Sequence, residues 1–505
     1  MLLAASAANA QNKVAQTKDF NLDLVTGAVL GSGRIIGLSG AYTALATGIE
    51  GAPWNAAAYA TRTLWATGWF DWDATASIVP TMLRNSDLEN NGRTGFTYGD
   101  FSFTTVGLGM RFGDFGAGAL INLHSYRLAK PSAEAPPVVP RSGADLRSAS
   151  DMYGVIGVRP PAVSAANANL SLAIGNYGAG YQLADGQLML GLGARTAVLS
   201  ITTDAGDSLV DFGGTSPEVG AVLALADRPW RLGFAARLPV QSGKSSQVLA
   251  ANLRLPRQIQ LPWELQAGFA FQLGPRPLNR KWVNPHTLEQ QLRAAMLARR
   301  RDREQRQLER ERLAERMQLA QERALPEVAE LEPPSAVPIV RDDVPKDPAF
   351  WAEEVTLRWN EERELMARLA ELAQEREHAL RALSRRYLLV STEVIAIGAT
   401  PDGVGLESFL SQQLHTSGSN VSIGLRAGVE GEPIADWVQM RAGSYLEPSR
   451  FSGGRYRAHA TVGTNVRLFS WDLFGLLEEF TLSAGAFADV AERYLNAGLG
   501  VGLWH

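Results

Sequence analysis

The C-terminal stretch constrains this chain most: Leu495, Ala497, Leu499, Val501 and Leu503 alternate with Asn496, Gly498, Gly500, Gly502 and Trp504. A period of two is a β-strand with one apolar and one small or polar face. The same pattern recurs upstream. Leu265, Ala267, Phe269, Phe271 and Leu273 oppose Gln266, Gly268, Ala270 and Gln272, and Val421, Ile423, Leu425, Ala427 and Val429 oppose Ser422, Gly424, Arg426, Gly428 and Glu430. One face is continuously apolar while the other carries Gly, Arg, Gln and Ser, which is inside out for a soluble sandwich. It fits a barrel wall with lipid outside and a polar lumen.

Composition narrows the choice further. The 505 residues are 46% apolar, yet nowhere do they gather into the run of about twenty that a membrane helix needs. A closed barrel is then the remaining way to span a bilayer. The absence of cysteine excludes thiolate metal sites, catalytic thiols, disulfides and a lipidated cysteine. A net charge of −4 gives no footprint for a nucleic-acid partner. Residues 1–10 end in Ala8-Asn9-Ala10 and read as the remnant of a signal peptide.

Period-two matching yields about fourteen strand-like runs: 64–79, 97–112, 114–128, 168–183, 187–202, 216–226, 229–239, 258–273, 387–398, 418–429, 435–446, 455–468, 479–489 and 493–504. The expected fold class is an all-β transmembrane barrel with an N-terminal lumen plug, residues 11–62, and an inserted helical hairpin. Strands 1–8 occupy 63–274 and strands 9–14 occupy 387–505. Short turns such as Gly113-Asp114, Ala184-Asp185-Gly186 and Asp227-Arg228-Pro229 are assigned to the periplasm. The longer connections 80–96, 129–167, 203–215, 240–257 and 399–417 are assigned to the outside, with Ser150 to Pro161 kept as part of a loop.

Residues 275–386 break this alternation, and turn counting puts them in the periplasm. Two arms, about 286–324 and 349–385, are rich in Ala, Leu, Glu, Gln and Arg, which are strong helix formers. One seam is Leu365, Leu369, Leu372, Ala379 and Leu383; a weaker one is Leu288, Leu292, Met296, Leu308, Leu313, Met317 and Ala320. Pro326, Pro333, Pro334, Pro338, Pro345 and Pro348 forbid a continuous helix between the arms. The simplest expectation is a hairpin whose arms bury their seams on each other. The sharper one is a docking rod for a periplasmic protein or cell-wall partner.

The segment Gly33-Arg34-Ile35-Ile36-Gly37-Leu38-Ser39-Gly40-Ala41-Tyr42-Thr43-Ala44-Leu45-Ala46, followed by Pro53-Trp54-Asn55-Ala56-Ala57-Ala58-Tyr59-Ala60, resembles the plug of long-chain fatty-acid transporter (FadL-like) outer-membrane barrels. The residues carrying it are Gly37, Gly40, Ala41, Asn55, Ala56 and Ala57, with Ala56 where the family has proline. The resemblance does not reach 275–386. It implies fourteen strands, a plug that moves to release hydrophobic ligands, and an outer-membrane location in a Gram-negative cell.

Alternation points Arg195, Arg231, Arg237, Arg426, Arg441, Arg457 and His459 into the lumen together with Glu393. Arg195, Arg237, Arg426, Arg441 and Arg457 are candidates for holding the carboxylate of an amphipathic acid, since guanidinium binds it bidentately. The competing reading pairs them with Glu393, Glu430 and Glu50 to fix the plug. The histidines have no ligand spacing, so neither a metal nor a cofactor is expected, and no nucleophile, phosphate loop or carboxylate pair points to an enzyme. Two functions survive: an outer-membrane channel for hydrophobic or amphipathic small molecules gated by the plug, and an anchor, scaffold or secretion accessory whose helical insert docks an envelope complex.

Overall fold

The computed structural model describes residues 19–79, 87–92, 102–128, 168–203, 208–243, 255–323, 348–410, 414–473 and 477–504. Expectations for residues 1–18, 129–167 and the proline-rich 324–347 lie outside them. The chain divides into two compact units, Met1–Trp282 with Leu383–His505, and Val283–Ala382.

The first unit is a closed barrel of fourteen strands in which each strand pairs with its neighbour in sequence. They are β1 (Phe70–Val79), β2 (Ser102–Phe112), β3 (Phe115–Leu128), β4 (Ala168–Leu183), β5 (Leu188–Thr203), β6 (Ser208–Leu223) and β7 (Trp230–Arg237), then β8 (Glu264–Leu273), β9 (Leu388–Ile397), β10 (Ser422–Ile434), β11 (Val438–Glu447), β12 (Arg457–Leu473), β13 (Leu477–Ala491) and β14 (Tyr494–Trp504). β14 closes on β1 through pairs from Leu499 with Ile78 to Trp504 with Asp73. All strand pairs are antiparallel, so the backbone groups of a lipid-facing wall are satisfied without an open edge.

The alternation read from sequence sets the register. Leu495, Leu499 and Val501 are 45%, 63% and 45% exposed, whereas Asn496 between them is 1% exposed. Leu265, Phe269 and Leu273 on β8 face out, and Gln266 and Gln272 face in. An exterior band of Ile, Leu, Val and Phe around a polar interior requires a bilayer outside the wall.

Three details depart from the sequence reading. The wall starts at Phe70 rather than near Leu64. β5 and β6 run to Thr203 and from Ser208, so the long connection expected at 203–215 is mostly wall. The run 258–273 is two pieces, Gln258–Leu261 and β8, because Pro262 cannot donate to the ladder between them. The first piece belongs to a separate five-stranded sheet of order 416–417, 403–405, 21–23, 258–261, 240–241, which joins three segments expected in long loops to one from the expected plug and one from the expected wall. Asn21–Asp23 lies in its centre, parallel to both neighbours. This cap sits at one rim, and the short turns 113–114, 184–187 and 435–437 mark the other.

The second unit holds the helices α2 (Pro285–Arg323) and α3 (Pro348–Arg381). Each begins with proline at the first helical position, where the missing N–H would have no partner anyway. Their 39 and 34 residues span about 58 and 51 Å at 1.5 Å per residue. Arg293 and Arg303 sit ten residues apart on α2, yet bond Glu362 at 2.8 Å and Glu361 at 2.9 Å, adjacent residues of α3. Helices lying side by side would keep step, so these cross instead. Leu365 is covered, but Leu308, Leu313 and Met317 are 53%, 59% and 66% exposed. The seams therefore do not zip along their length as the simple hairpin reading expected.

Candidate functional site: the plugged lumen

Residues 19–62 run through the lumen from the cap rim to the short-turn rim, tied to the cap and its connections at the first stage and to the wall below it. At the cap, Asp23 accepts from Arg450 Nε at 2.8 Å, from the Ser417 hydroxyl at 3.2 Å and from the Thr400 hydroxyl at 3.3 Å. Below it the Val29 N–H donates to the Tyr445 hydroxyl at 3.2 Å, which donates to Asp489 at 2.7 Å. His459 lies between Asp489, 2.8 Å from Nδ1, and Glu447, 2.7 Å from Nε2. Arg457 Nη2 reaches the same Glu447 at 2.6 Å.

A short helix follows, α1 (Gly33–Gly37), whose first turn is capped by the Ser32 hydroxyl accepting from the Ile35 N–H at 3.4 Å. Arg34 forks onto Glu430 at 2.9 and 3.1 Å, and Arg441 Nε donates to the same carboxylate at 2.6 Å. Glu393 accepts the Tyr42 and Thr43 N–H groups at 3.0 and 2.9 Å on one oxygen and Arg426 at 2.9 Å on the other. The Ser391 hydroxyl donates to the Ala41 carbonyl at 2.6 Å, and the Ser39 and Thr461 hydroxyls are 2.8 Å apart.

Asn55 is the keystone of the lower half. Its Oδ1 accepts from the Ala57 N–H at 3.0 Å and so caps a 3-10 turn, Ala56–Tyr59, while its Nδ2 donates to the carbonyls of Thr43 at 2.9 Å and Ala221 at 3.1 Å. Ala56 therefore occupies the first position of the turn, where proline is favoured but not needed. The wall opposite has no room for side chains. A Cβ on Gly191 would overlap the Ala56 carbonyl carbon, and one on Gly220 would overlap Asn55 Oδ1. Gly37 similarly approaches Gly463 on the wall, and Gly40 takes φ +72°, a conformation that favours glycine.

The five candidate arginines are all brought into the lumen, and each meets a carboxylate. Arg195 and Arg237 share Glu264 at 2.6 and 3.0 Å, and Arg237 also reaches Glu218 at 3.2 Å. Arg426, Arg441 and Arg457 meet Glu393, Glu430 and Glu447 as above. They do not form one cluster; they are spaced along the plug. Sequence reasoning passed over Glu218, Glu264, Glu447 and Asp489, although the period-two rule points Glu218 and Asp489 inward. It also passed over Arg111, which bonds Asp73 at 2.7 Å while buried against the plug end of β1.

The chain is a plugged fourteen-stranded transmembrane barrel. No protein-family model matches it, and no curated protein matches it. Among solved structures it is similar to the CymD monoaromatic hydrocarbon channel, at 8% identity and a TM-score of 0.43 over 95% of this chain and 97% of that one. The Ralstonia pickettii toluene transporter TbuX aligns at 10% identity and a TM-score of 0.38 over 95% and 97%. A deltaS2 mutant of the TodX monoaromatic hydrocarbon channel aligns at 9% and 0.37 over 91% and 93%.

Proposed function

We propose that this chain is an outer-membrane channel for hydrophobic or amphipathic small molecules, gated by its N-terminal plug. The observation that carries the reading is the lumen itself: a wall wide enough for a pore is filled by the chain's own residues 19–62, packed on wall glycines and tied by hydroxyls, amides and ion pairs. A barrel that served only as an anchor has no use for an insert removable by breaking such local bonds. The plug motif read from sequence, and the hydrocarbon and toluene channels to which the chain is similar, support the same class of solute. The arginines Arg195, Arg237, Arg426, Arg441 and Arg457 act in this reading as plug ties. They become ligand sites only when the plug shifts and a carboxylate partner is released.

The test uses the absence of native cysteine. Ser39→Cys with Thr461→Cys replaces hydroxyls 2.8 Å apart and should lock plug to wall when oxidised. Uptake of a hydrophobic probe should stop in oxidant and return with reductant. Unchanged uptake by the fully oxidised variant would overturn gating by the plug.

A further inference from the structure

Every lumen arginine named above answers to a carboxylate, and Arg231 on β7 does not. It is 9% exposed and bonds only neutral groups: Asn279 Oδ1 at 2.6 Å and the carbonyls of Leu278 at 2.8 Å and Leu45 at 3.3 Å. Among the described residues no carboxylate lies in ion-pair reach of it. A guanidinium has five N–H groups, and these three bonds leave two. A buried charge without a counter-ion is the costliest arrangement in such an interior, which is why buried charges are normally paired.

Arg231 also borders a cleft at the short-turn rim, directly beneath the plug's exit, which encloses about 40 Å³ and opens to solvent. Its polar side carries Arg62 and Lys281, and its apolar side carries Leu64, Met189 and Ala224. The cationic side is built and not loose. Asn279 Nδ2 is fixed by the carbonyls of Leu225, Arg228 and Trp230 at 2.9, 2.9 and 2.8 Å, which aims its oxygen at Arg231. Arg62 donates to the Trp69 and Gly113 carbonyls at 3.0 and 2.8 Å and stacks 4.1 Å over Trp282. Lys281 stands at the mouth on Asp185 at 2.8 Å.

We infer that this cleft is an oxyanion site, in which Arg231 takes the carboxylate or phosphate head of an amphipathic molecule while Leu64, Met189 and Ala224 take its apolar part. The assignment rests on the channel reading for the ligand's route, since the head group would meet Arg231 as it clears the plug. It moves charge recognition away from the arginines inside the lumen, which the wall's own carboxylates already occupy.

The full chain, purified in detergent, is titrated with decanoate, decanol and inorganic phosphate. Decanoate should bind at least about tenfold tighter than decanol, the margin expected of one charge-assisted pair. Arg231→Gln should erase that margin and Arg231→Lys should keep part of it, with folding checked by heat-modifiable mobility. Competition by phosphate shows that the head alone suffices, and its failure to compete shows that the tail is required; both keep the oxyanion site. Equal binding of decanoate and decanol to the unmodified chain overturns it without any variant, and so does a preference that survives Arg231→Gln. Should Arg231→Gln not fold, Met189→Trp fills the apolar side and should weaken decanoate; unchanged binding then overturns the site. Uptake of an uncharged probe is measured in parallel. In the unmodified chain, no uptake together with a preference for decanoate over decanol overturns the channel and not the site, and uptake without that preference overturns the site alone.

Discussion

Arginine–carboxylate pairs occur in the lumen and along the helical arms at similar distances, and their surroundings make them different interactions. Glu430 is 3% exposed between Arg34 at 2.9 Å and Arg441 at 2.6 Å. Arg293 and Glu362 lie at 2.8 Å with side chains 48% and 54% exposed. Water screens the second pair and competes for both of its partners, so it contributes little, whereas the first has replaced hydration altogether. The lesson is that ion pairs fix the plug and merely decorate the arms.

The largest effect should come from breaking the buried side of that contrast. Glu430→Gln leaves Arg34 and Arg441 facing each other without their carboxylate, and loss of one partner of a buried pair costs about 3–5 kcal/mol. Urea unfolding in vesicles measures it; a cost no greater than that of an arm substitution would erase the distinction drawn here. Somewhat smaller is the wall itself. Phe269→Arg puts a charge on a lipid-facing position that is 42% exposed, at a cost of about 2–4 kcal/mol if it lies at the bilayer midplane. Retention of full heat-modifiable mobility by that variant would contradict the outward face of β8.

A third prediction concerns the cap rim. Glu89 is 4% exposed and its N–H donates to Glu407 at 3.3 Å. Burial first, and then the neighbouring Glu407 carboxylate, hold the Glu89 carboxyl well above its usual 4.5. A raised folded value means stability that is complete below about pH 4.5 and is lost as pH rises through the folded value. The thermal midpoint should therefore fall with rising pH, and Glu89→Gln should flatten that slope; an unchanged slope would place the titration elsewhere. The smallest effect belongs to the arms: Arg293→Ala, or deletion of 289–383 behind a short Gly/Ser turn, should leave barrel mobility unaltered, because β8 and β9 pair from Glu264 with Ile397 to Leu273 with Leu388 regardless of the connection. Loss of the folded barrel on deletion would make the arms part of its stability.

The wall was legible because a side-chain period of two leaves its mark in each strand separately. The plug was legible in part, since Gly37, Gly40, Ala41 and Ala56 announce close packing, while the wall glycines Gly191 and Gly220 announce its counterpart. The cap was not, because its strands are only two to four residues long and Asn21 pairs with Gly403 across most of the chain. Periodicity has no purchase on segments so short. Pairing in the lumen was half legible: alternation says which arginines face inward, but which carboxylate each meets depends on strand stagger, as when Arg195 on β5 reaches Glu264 on β8. The arms show the opposite limit. Their composition declares helix, yet Leu308, Leu313 and Met317 recur like a seam and remain exposed.

The plug's position also sets an order of assembly. Residues 19–62 precede β1 in the chain, and the ring is completed when β14 meets β1, a contact between opposite ends of the sequence. Contacts so distant form late, because loop closure must precede them. Gly116, Gly191, Gly220 and Gly233 bring the wall backbone into direct contact with the plug backbone, so the two surfaces are fitted to each other. The seam between β14 and β1 should therefore shut around a plug already in place, with residues 19–62 serving the nascent barrel as the mandrel on which it is wound.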